Sequence, residues 1–294
     1  MKAARNDVSV AGAIRDSMFN TIMTNYLGSK VPIEILSTTE IDAGNNSLSL
    51  RRRDLRLGRR RLSVVEKMPS VATPARVGIN FREIWLYESF FRDHRIPFTP
   101  EFYGVCVDGQ LMQIVFEYID GVRPDLQDPA ACRRVLEALA RVNSLAVPDR
   151  VPFPRQSLSF MNEALLRERL TAQSGSWGLV DFLRNLPAHA ARYGGIKEGL
   201  SHGDLHRGNL LLAGDGRMFL IDWSRWGAHP VGADIGKYMI GAAYRSNAVP
   251  IRELLGGYAE AVGVALDDVI CRKVGLGRWE LIDTFNRRKM FRIY

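Results

Sequence analysis

The chain has 294 residues, of which 46% are apolar and 24% charged. That is enough apolar material for a sizeable core, and too little net charge per residue for wholesale disorder. Three cysteines, Cys106, Cys132 and Cys271, form no C-x-x-C pair, which argues against a disulfide framework and a cysteine zinc site and fits a reducing cytosol. No apolar run approaches the roughly 18 to 20 residues of a membrane-spanning helix, and residues 1–30 lack the continuous apolar stretch of a secretory signal. The expectation is a soluble, cytoplasmic protein with no membrane insertion. The formal charge is +8, and Arg51, Arg52, Arg53, Arg56, Arg59, Arg60 and Arg61 nearly account for it. No recognition helix, zinc-finger spacing or RNA-binding aromatic pattern accompanies them, so no nucleic-acid partner is expected. They read as a solvated hairpin, with a surface for an anionic partner or anionic lipid as the alternative.

In chain order, apolar residues at helical spacing from Val10 to Tyr26, followed by Gly28, predict a first helix. Ile33–Ile41, Ser47–Arg53 and Arg61–Met68 read as strands, the first two joined by the turn-rich residues 42–46. Ile79–Arg92 reads as a helix. Phe102–Val107 and Leu111–Tyr118 are two apolar runs joined at Asp108-Gly109, a hairpin signal. After Tyr118 the composition changes. Pro129–Ala146 has a helical pattern, residues 158–193 look helical with an interruption, and the pattern from Ala233 onward is helical again. A sheet-rich part, residues 1–118, is thus followed by a helix-rich part, residues 119–294.

The densest chemical signal is SHGDLHRGNLLLAGDGRMFLIDW, residues 201–223. Two apolar runs, Leu210–Leu212 and Met218–Ile221, flank Asp215-Gly216. A two-residue turn there places Asn209 directly opposite Asp222, with Asp204 in the loop just before. Two oxygen ligands beside a further carboxylate suit magnesium-assisted phosphoryl transfer. Mg²⁺ takes hard oxygen ligands, one or two carboxylates, and the remainder of its shell from phosphates and water.

His202-x-Asp204-x-x-x-x-Asn209 followed by Asp222 has the spacing of a kinase catalytic loop and its metal-binding aspartate. The form His-Gly-Asp-Leu-His-x-Gly-Asn and then Ile-Asp-Trp resembles the aminoglycoside phosphotransferase and choline kinase group. The resemblance spans roughly residues 20–290 and is strongest at 201–223. It implies an α+β, two-lobed protein-kinase-like fold, with residues 1–118 as nucleotide-binding lobe and 119–294 as catalytic and substrate lobe. It implies ATP and Mg²⁺ as cofactors and a hydroxyl as acceptor. Asp204 would be the catalytic base, Asn209 and Asp222 would hold Mg²⁺, His202 would support the loop, and His206 would act only through its neighbours.

In this fold a lysine on the third strand contacts the α and β phosphates and pairs with a helix glutamate. Lys67 is the only lysine between Lys30 and Lys197. Glu83 and Glu88 compete as its partner, and Arg82-Glu83-Ile84-x-x-Tyr87 looks like the family helix, which favours Glu83. There is no G-x-G-x-x-G or P-loop motif. Gly44, Asn45, Asn46 and Ser47 stand where the family has a short loop over the phosphates. Glu117 and Ile119 stand where a backbone carbonyl and amide would meet the adenine edge. Where related sequences often carry a Leu-His pair, at the end of the first helix of the large lobe, this chain has Ala140-Arg141-Val142-Asn143, a stretch read as structural, as is Asp234. From Gly227 to Tyr294 there are ten basic and seven acidic residues, a balance that disfavours a polycationic acceptor. A small-molecule alcohol is the expected substrate. A kinase acting on a protein is the alternative, although no A-P-E follows Asp222 and Trp223 replaces the phenylalanine of D-F-G. An inactive binding scaffold of the same fold is the other. Oligomeric state is not readable.

Overall fold

The computed structural model describes residues 2–28, 31–41, 47–69, 71, 74–94, 96–109, 111–125, 127–153, 197–235 and 251–266. The expected helical stretch at 158–193, the loop residues Gly44, Asn45 and Asn46, and the chain beyond 266 lie outside them. The chain divides into two compact units, Met1–Asp120 and Gly121–Tyr294.

The first unit is built on a five-stranded antiparallel sheet of order β1-β2-β3-β5-β4. Its strands are β1 Ile33–Ile41, β2 Ser47–Leu57, β3 Arg60–Pro69, β4 Phe102–Asp108 and β5 Leu111–Glu117. Helix α1, Lys2–Leu27, is longer than its apolar periodicity suggested, since no glycine or proline interrupts residues 3–10. Strand alternation decides which side chains it covers. Leu55, Val64 and Val115 share one face and form a core with Phe19, Ile22 and Met23 of α1. Burying about six such side chains stabilises the unit by roughly 1.5–3 kcal/mol each before entropy is counted.

The same face carries an ion triad. Arg53 donates from Nε to the Glu66 carboxylate, and its other arm meets Asp16 of α1 at 2.8 Å. The remaining hairpin arginines are also partly answered. Arg51 pairs with Glu40 at 2.5 Å, Arg52 with Asp54 at 2.9 Å and Arg56 with Glu34 at 3.0 Å. The basic run is therefore largely cross-strand pairing within the sheet, with Arg59, Arg60 and Arg61 exposed at its tip.

On the opposite face lies helix α2, Pro74–Trp85, with proline at its first position, where a missing N–H costs nothing. It runs on through a π-helical stretch, Leu86–Phe91, and one further turn, Arg92–His94. The extra residue per turn lets Leu86, Tyr87, Phe90 and Phe91 all bury. The Tyr87 ring lies 5.0 Å from that of Phe116 on β5.

In the second unit, helix α3, Pro129–Asn143, is capped by Asp128, which accepts from the Ala130 amide at 2.9 Å. Helix α4, Ile251–Val262, packs against α3. Strand β6, Gly121–Val122, joins β8, Leu210–Ala213, and β9, Met218–Leu220, in a three-stranded sheet, while β7, Glu198–Ser201, pairs with β10, Gly227–Pro230.

The β8–β9 hairpin corrects one expectation. Leu210 pairs with Leu220 and Leu212 with Met218, so the loop has three residues, 214–216. The Ala213 amide donates to Arg217 O and the Gly216 amide to Ala213 O, both at 2.9 Å, with Gly216 at φ +85°. This is a three-residue loop closed by a left-handed glycine. A two-residue turn would need Asp215 at positive φ, but its carboxylate instead accepts from the Arg217 amide at 3.0 Å and from Arg217 Nε at 2.7 Å. Asn209 thus stands opposite Ile221, whose amide donates to Asn209 O at 3.0 Å, and not opposite Asp222.

Candidate active site

Each unit carries one half of the predicted site. In the first, Lys67 lies on β3 next to Glu66 but points to the opposite face, as strand alternation requires. Its Nζ meets Glu83 Oε2 at 2.7 Å, with side-chain exposures of 11% and 2%. Glu88 is exposed on the π-helical stretch. A pair this buried is held by geometry rather than by Coulomb energy alone, since both ions lose hydration. Ser47 opens β2. At the end of β5, the Glu117 amide donates to Glu101 O at 2.8 Å and the Tyr118 amide to Ser63 O at 3.1 Å.

Beside that connector lies a polar cluster that sequence reasoning missed. Asp54 accepts from Ser63 Oγ at 2.6 Å, from Ser37 Oγ at 2.7 Å and from Arg52 Nε at 2.9 Å. These donors, the two serines foremost, hold its carboxyl down at about 2. The Arg52 guanidinium also lies 4.3 Å from the Tyr118 ring centroid, a cation–π distance. The signal was present in the cross-strand register of residues 37, 54 and 63, which a single strand read alone does not display.

In the second unit the loop after β7 is fixed mostly through its backbone. Asp234, buried, accepts from the His202 amide at 2.8 Å and the Gly203 amide at 2.9 Å. The His202 ring, fully buried, meets Ile221 O through Nε2 at 2.9 Å and the Asp204 amide through Nδ1 at 3.3 Å. A carbonyl on one side and an N–H on the other select the tautomer with its proton on Nε2. Gly203 has φ +78°, and a Cβ there would stand 1.9 Å from Arg225 O. Only glycine fits.

Asp204 follows. Its Oδ2 stands 3.8 Å from Arg225 Nε and 4.0 Å from His206 Nε2. Arg225 was not anticipated, because nothing in its spacing marks it. His206 caps the short 3₁₀ turn Arg207–Asn209, its Nδ1 accepting from the Gly208 amide at 3.0 Å. Asn209 is buried and donates from Nδ2 to Asp204 O at 3.0 Å. That bond assigns the amide: Nδ2 ties the loop, and Oδ1 is left facing away from it. Asp222 follows β9 at φ 62°, ψ 68°, the single non-glycine residue at positive φ among the described residues. Such a conformation costs of order 1 kcal/mol or more and marks a position held by its surroundings. It also takes the Asp222 side chain out of strand alternation, so the one-residue change of register does not dictate where its carboxylate points.

Among the described residues no group of three or more His, Cys, Asp or Glu side chains forms a metal cluster. A carboxylate and an amide oxygen, completed by phosphates and water, remain a fitting hard-oxygen donor set for Mg²⁺. No helix among the described residues is long and apolar enough to cross a membrane.

A two-layered N-terminal unit with a Lys–Glu pair, and a catalytic-loop motif on a β-hairpin in the next, define a kinase-like protein. Solved structures bear out the fold. The aminoglycoside phosphotransferase APH(3'')-Id from Streptomyces rimosus, in complex with ADP and streptomycin, is 16% identical. The match covers 78% of this chain and 90% of that one, with a TM-score of 0.55. The choline kinase LicA from Streptococcus pneumoniae is 15% identical, with 94% and 99% covered and a TM-score of 0.54. A choline/ethanolamine kinase family protein from Mesorhizobium loti is 19% identical, with 89% and 83% covered and a TM-score of 0.50. No curated protein matches the chain in sequence. The model of the phosphotransferase enzyme family matches residues 82–267, well over half of the chain. The chain belongs to that family, and the expected α+β, kinase-like fold and its resemblance to aminoglycoside phosphotransferases and choline kinases are borne out.

Proposed function

We propose that this phosphotransferase moves the γ-phosphate of ATP to a hydroxyl of a small molecule, with Asp204 as the catalytic base. The observation that carries the reading is the locking of the Asp204 backbone. Its amide sits on the buried His202 ring, and its carbonyl is held by Asn209. A general base must be positioned before its basicity matters, and its carboxylate would accept the acceptor's hydroxyl proton as the oxygen attacks. Asn209 Oδ1 and the Asp222 carboxylate would hold Mg²⁺, which when bound neutralises charge on the phosphates. Lys67, oriented by Glu83, would contact the α and β phosphates. The amides of Gly44, Asn45, Asn46 and Ser47 would cover them. With the amides of Glu117 and Tyr118 already donated within the sheet, the Glu117 carbonyl and the Ile119 amide would meet the adenine edge.

The basic balance of residues 227–294 favours a neutral or anionic alcohol over a polycation. Cytoplasmic residence fits the ATP requirement. The test is a screen of alcohols and antibiotics with purified protein and Mg-ATP, following a phosphate-sized mass gain. The reading predicts one acceptor class modified by the native protein and by none of the Asp204→Asn variant. Equal modification by that variant would remove Asp204 from the role of base.

A further inference from the structure

Behind the catalytic loop lies a buried polar chain that the sequence did not reveal. Asn143 ends α3 and is 1% exposed; Tyr258 lies in the middle of α4 and is 2% exposed. The Tyr258 hydroxyl donates to Asn143 Oδ1 at 2.5 Å. From the other end of the same amide, Nδ2 donates to Leu200 O at 2.7 Å and reaches Asp234 Oδ2 at 3.5 Å. Both of those are acceptors, so a flipped amide would set oxygen against oxygen. The orientation is therefore fixed from three sides. Asp234 in turn receives the amides of His202 and Gly203, and His202 receives that of Asp204. Gly199 brings the strand so near that a Cβ on it would lie 2.1 Å from Asn143 O, so this close approach of β7 to the end of α3 requires glycine.

We propose that Asn143 and Tyr258 are positioning residues for Asp204. Tyr258 holds the Asn143 amide. The amide fixes the Leu200 carbonyl of β7 and one oxygen of Asp234. Together these set the direction in which residues 202–204 leave the strand. Asn143, Tyr258, Asp234 and His202 are all buried, so each bond between them is stronger than at the surface, and each orphaned group is costly. The proposal rests on the reading of Asp204 as base, and its test has one readout that does not.

That readout is amide hydrogen exchange at His202 and Gly203, with no substrate present. Tyr258→Phe removes only the hydroxyl. It is expected to speed exchange at both amides by about tenfold, the loss of one buried hydrogen bond, while the amides of Val135 and Leu139 in α3 stay unchanged. Turnover of Mg-ATP should fall by about fivefold to tenfold, with KM for ATP unaltered, since the loop and not the nucleotide half is disturbed. Asn143→Ala should act in the same direction and more strongly. Glu253→Gln serves as control on the same helix: its pairing with Arg133 at 3.3 Å is largely exposed, and both readouts should stay at the native level. Native exchange at His202 and Gly203 in a folded Tyr258→Phe protein would overturn the proposal, as would equal acceleration by Glu253→Gln. If Asp204→Asn left turnover intact while Tyr258→Phe still loosened the two amides, the assignment of the base would fall and the positional link would stand.

Discussion

The residues proposed for the site are held by different kinds of bond in the two units. In the first unit, Lys67 is placed by Glu83, and the strand beside it is tied to α1 by Arg53, Glu66 and Asp16. These are side-chain ion pairs between neighbouring elements of the unit. In the second unit, Asp204 is placed by backbone: two amides on Asp234, one on His202, its own carbonyl on Asn209. Ion pairs can be lost singly, with the strand still in place. A loop fixed through its main chain has one conformation or none. The nucleotide half should therefore respond to substitution by graded loss of affinity and stability, and the catalytic half by loss of rate or of the loop itself.

The sharpest test of that difference is Asp204→Ala. It removes a carboxylate but none of the backbone bonds that hold the loop, so nucleotide affinity and thermal stability should stay near native. Phosphate transfer should fall by about 10² to 10⁴, the usual contribution of a positioned general base. Single-turnover transfer and a nucleotide titration, measured on the same sample, separate the two effects. Gly203→Ala tests the other clause. At φ +78° with Arg225 O at 1.9 Å, a methyl cannot be accommodated without moving the loop. The expected result is loss of transfer together with a lowered melting temperature.

Lys67→Ala comes next in size. It leaves the Glu83 carboxylate buried without its lysine, and breaking such a pair costs about 3–5 kcal/mol. Melting without nucleotide should show that loss, and the affinity for ATP should fall with it. Lys67→Ala combined with Glu83→Gln should recover much of the stability and none of the affinity. If the double variant were no more stable than the single one, the pair would not be what holds this half together. A smaller effect is expected at the metal. Asp222→Asn removes charge from a hard-cation site and should weaken Mg²⁺ binding more than Asn209→Asp, which adds charge. Titration of Mg²⁺ in the presence of ATP compares them.

The same contrast explains what could be read from sequence. The catalytic half is local. His202, Asp204, Asn209 and Asp222 fall within a stretch of 21 residues, and their spacing carries the chemistry. What escaped there was the hairpin loop, because Gly-Asp-Gly supports a two-residue or a three-residue turn equally well by composition. The choice was made by the Asp215 side chain binding the Arg217 amide. Asn143 and Tyr258 escaped because they lie 61 and 54 residues from Asp204 in sequence, and a buried amide at a helix end looks like packing until its partners are known. In the first unit, the succession of helices and strands was legible from apolar patterning, and Lys67 from being the one lysine between Lys30 and Lys197. The pairing of hairpin arginines with Glu34 and Glu40 was not, because it depends on the register of β2 against β1.

The smallest expected effect concerns that register and is read by pH. Asp54 is held at about 2 by Ser63, Ser37 and Arg52, against an ordinary value of 3.8 in the unfolded chain. Its folded pKa lies below its unfolded one, so between the two values the unfolded chain binds more protons. The stability it contributes is fully present above about pH 4 and is lost as pH falls from there to about 2. The side chain is 31% exposed, and solvent screening keeps the contribution to about 1 kcal/mol. Asp54→Asn should lower stability slightly at pH 7 and flatten the stability–pH curve between pH 4 and 2, while Asp93→Asn, at a side chain 68% exposed, should leave the curve as it is. Denaturant unfolding at a series of pH values measures both. An unchanged slope in Asp54→Asn would mean that the two serine hydroxyls do not hold the carboxylate in solution, and that β1, β2 and β3 are joined there by their backbones alone.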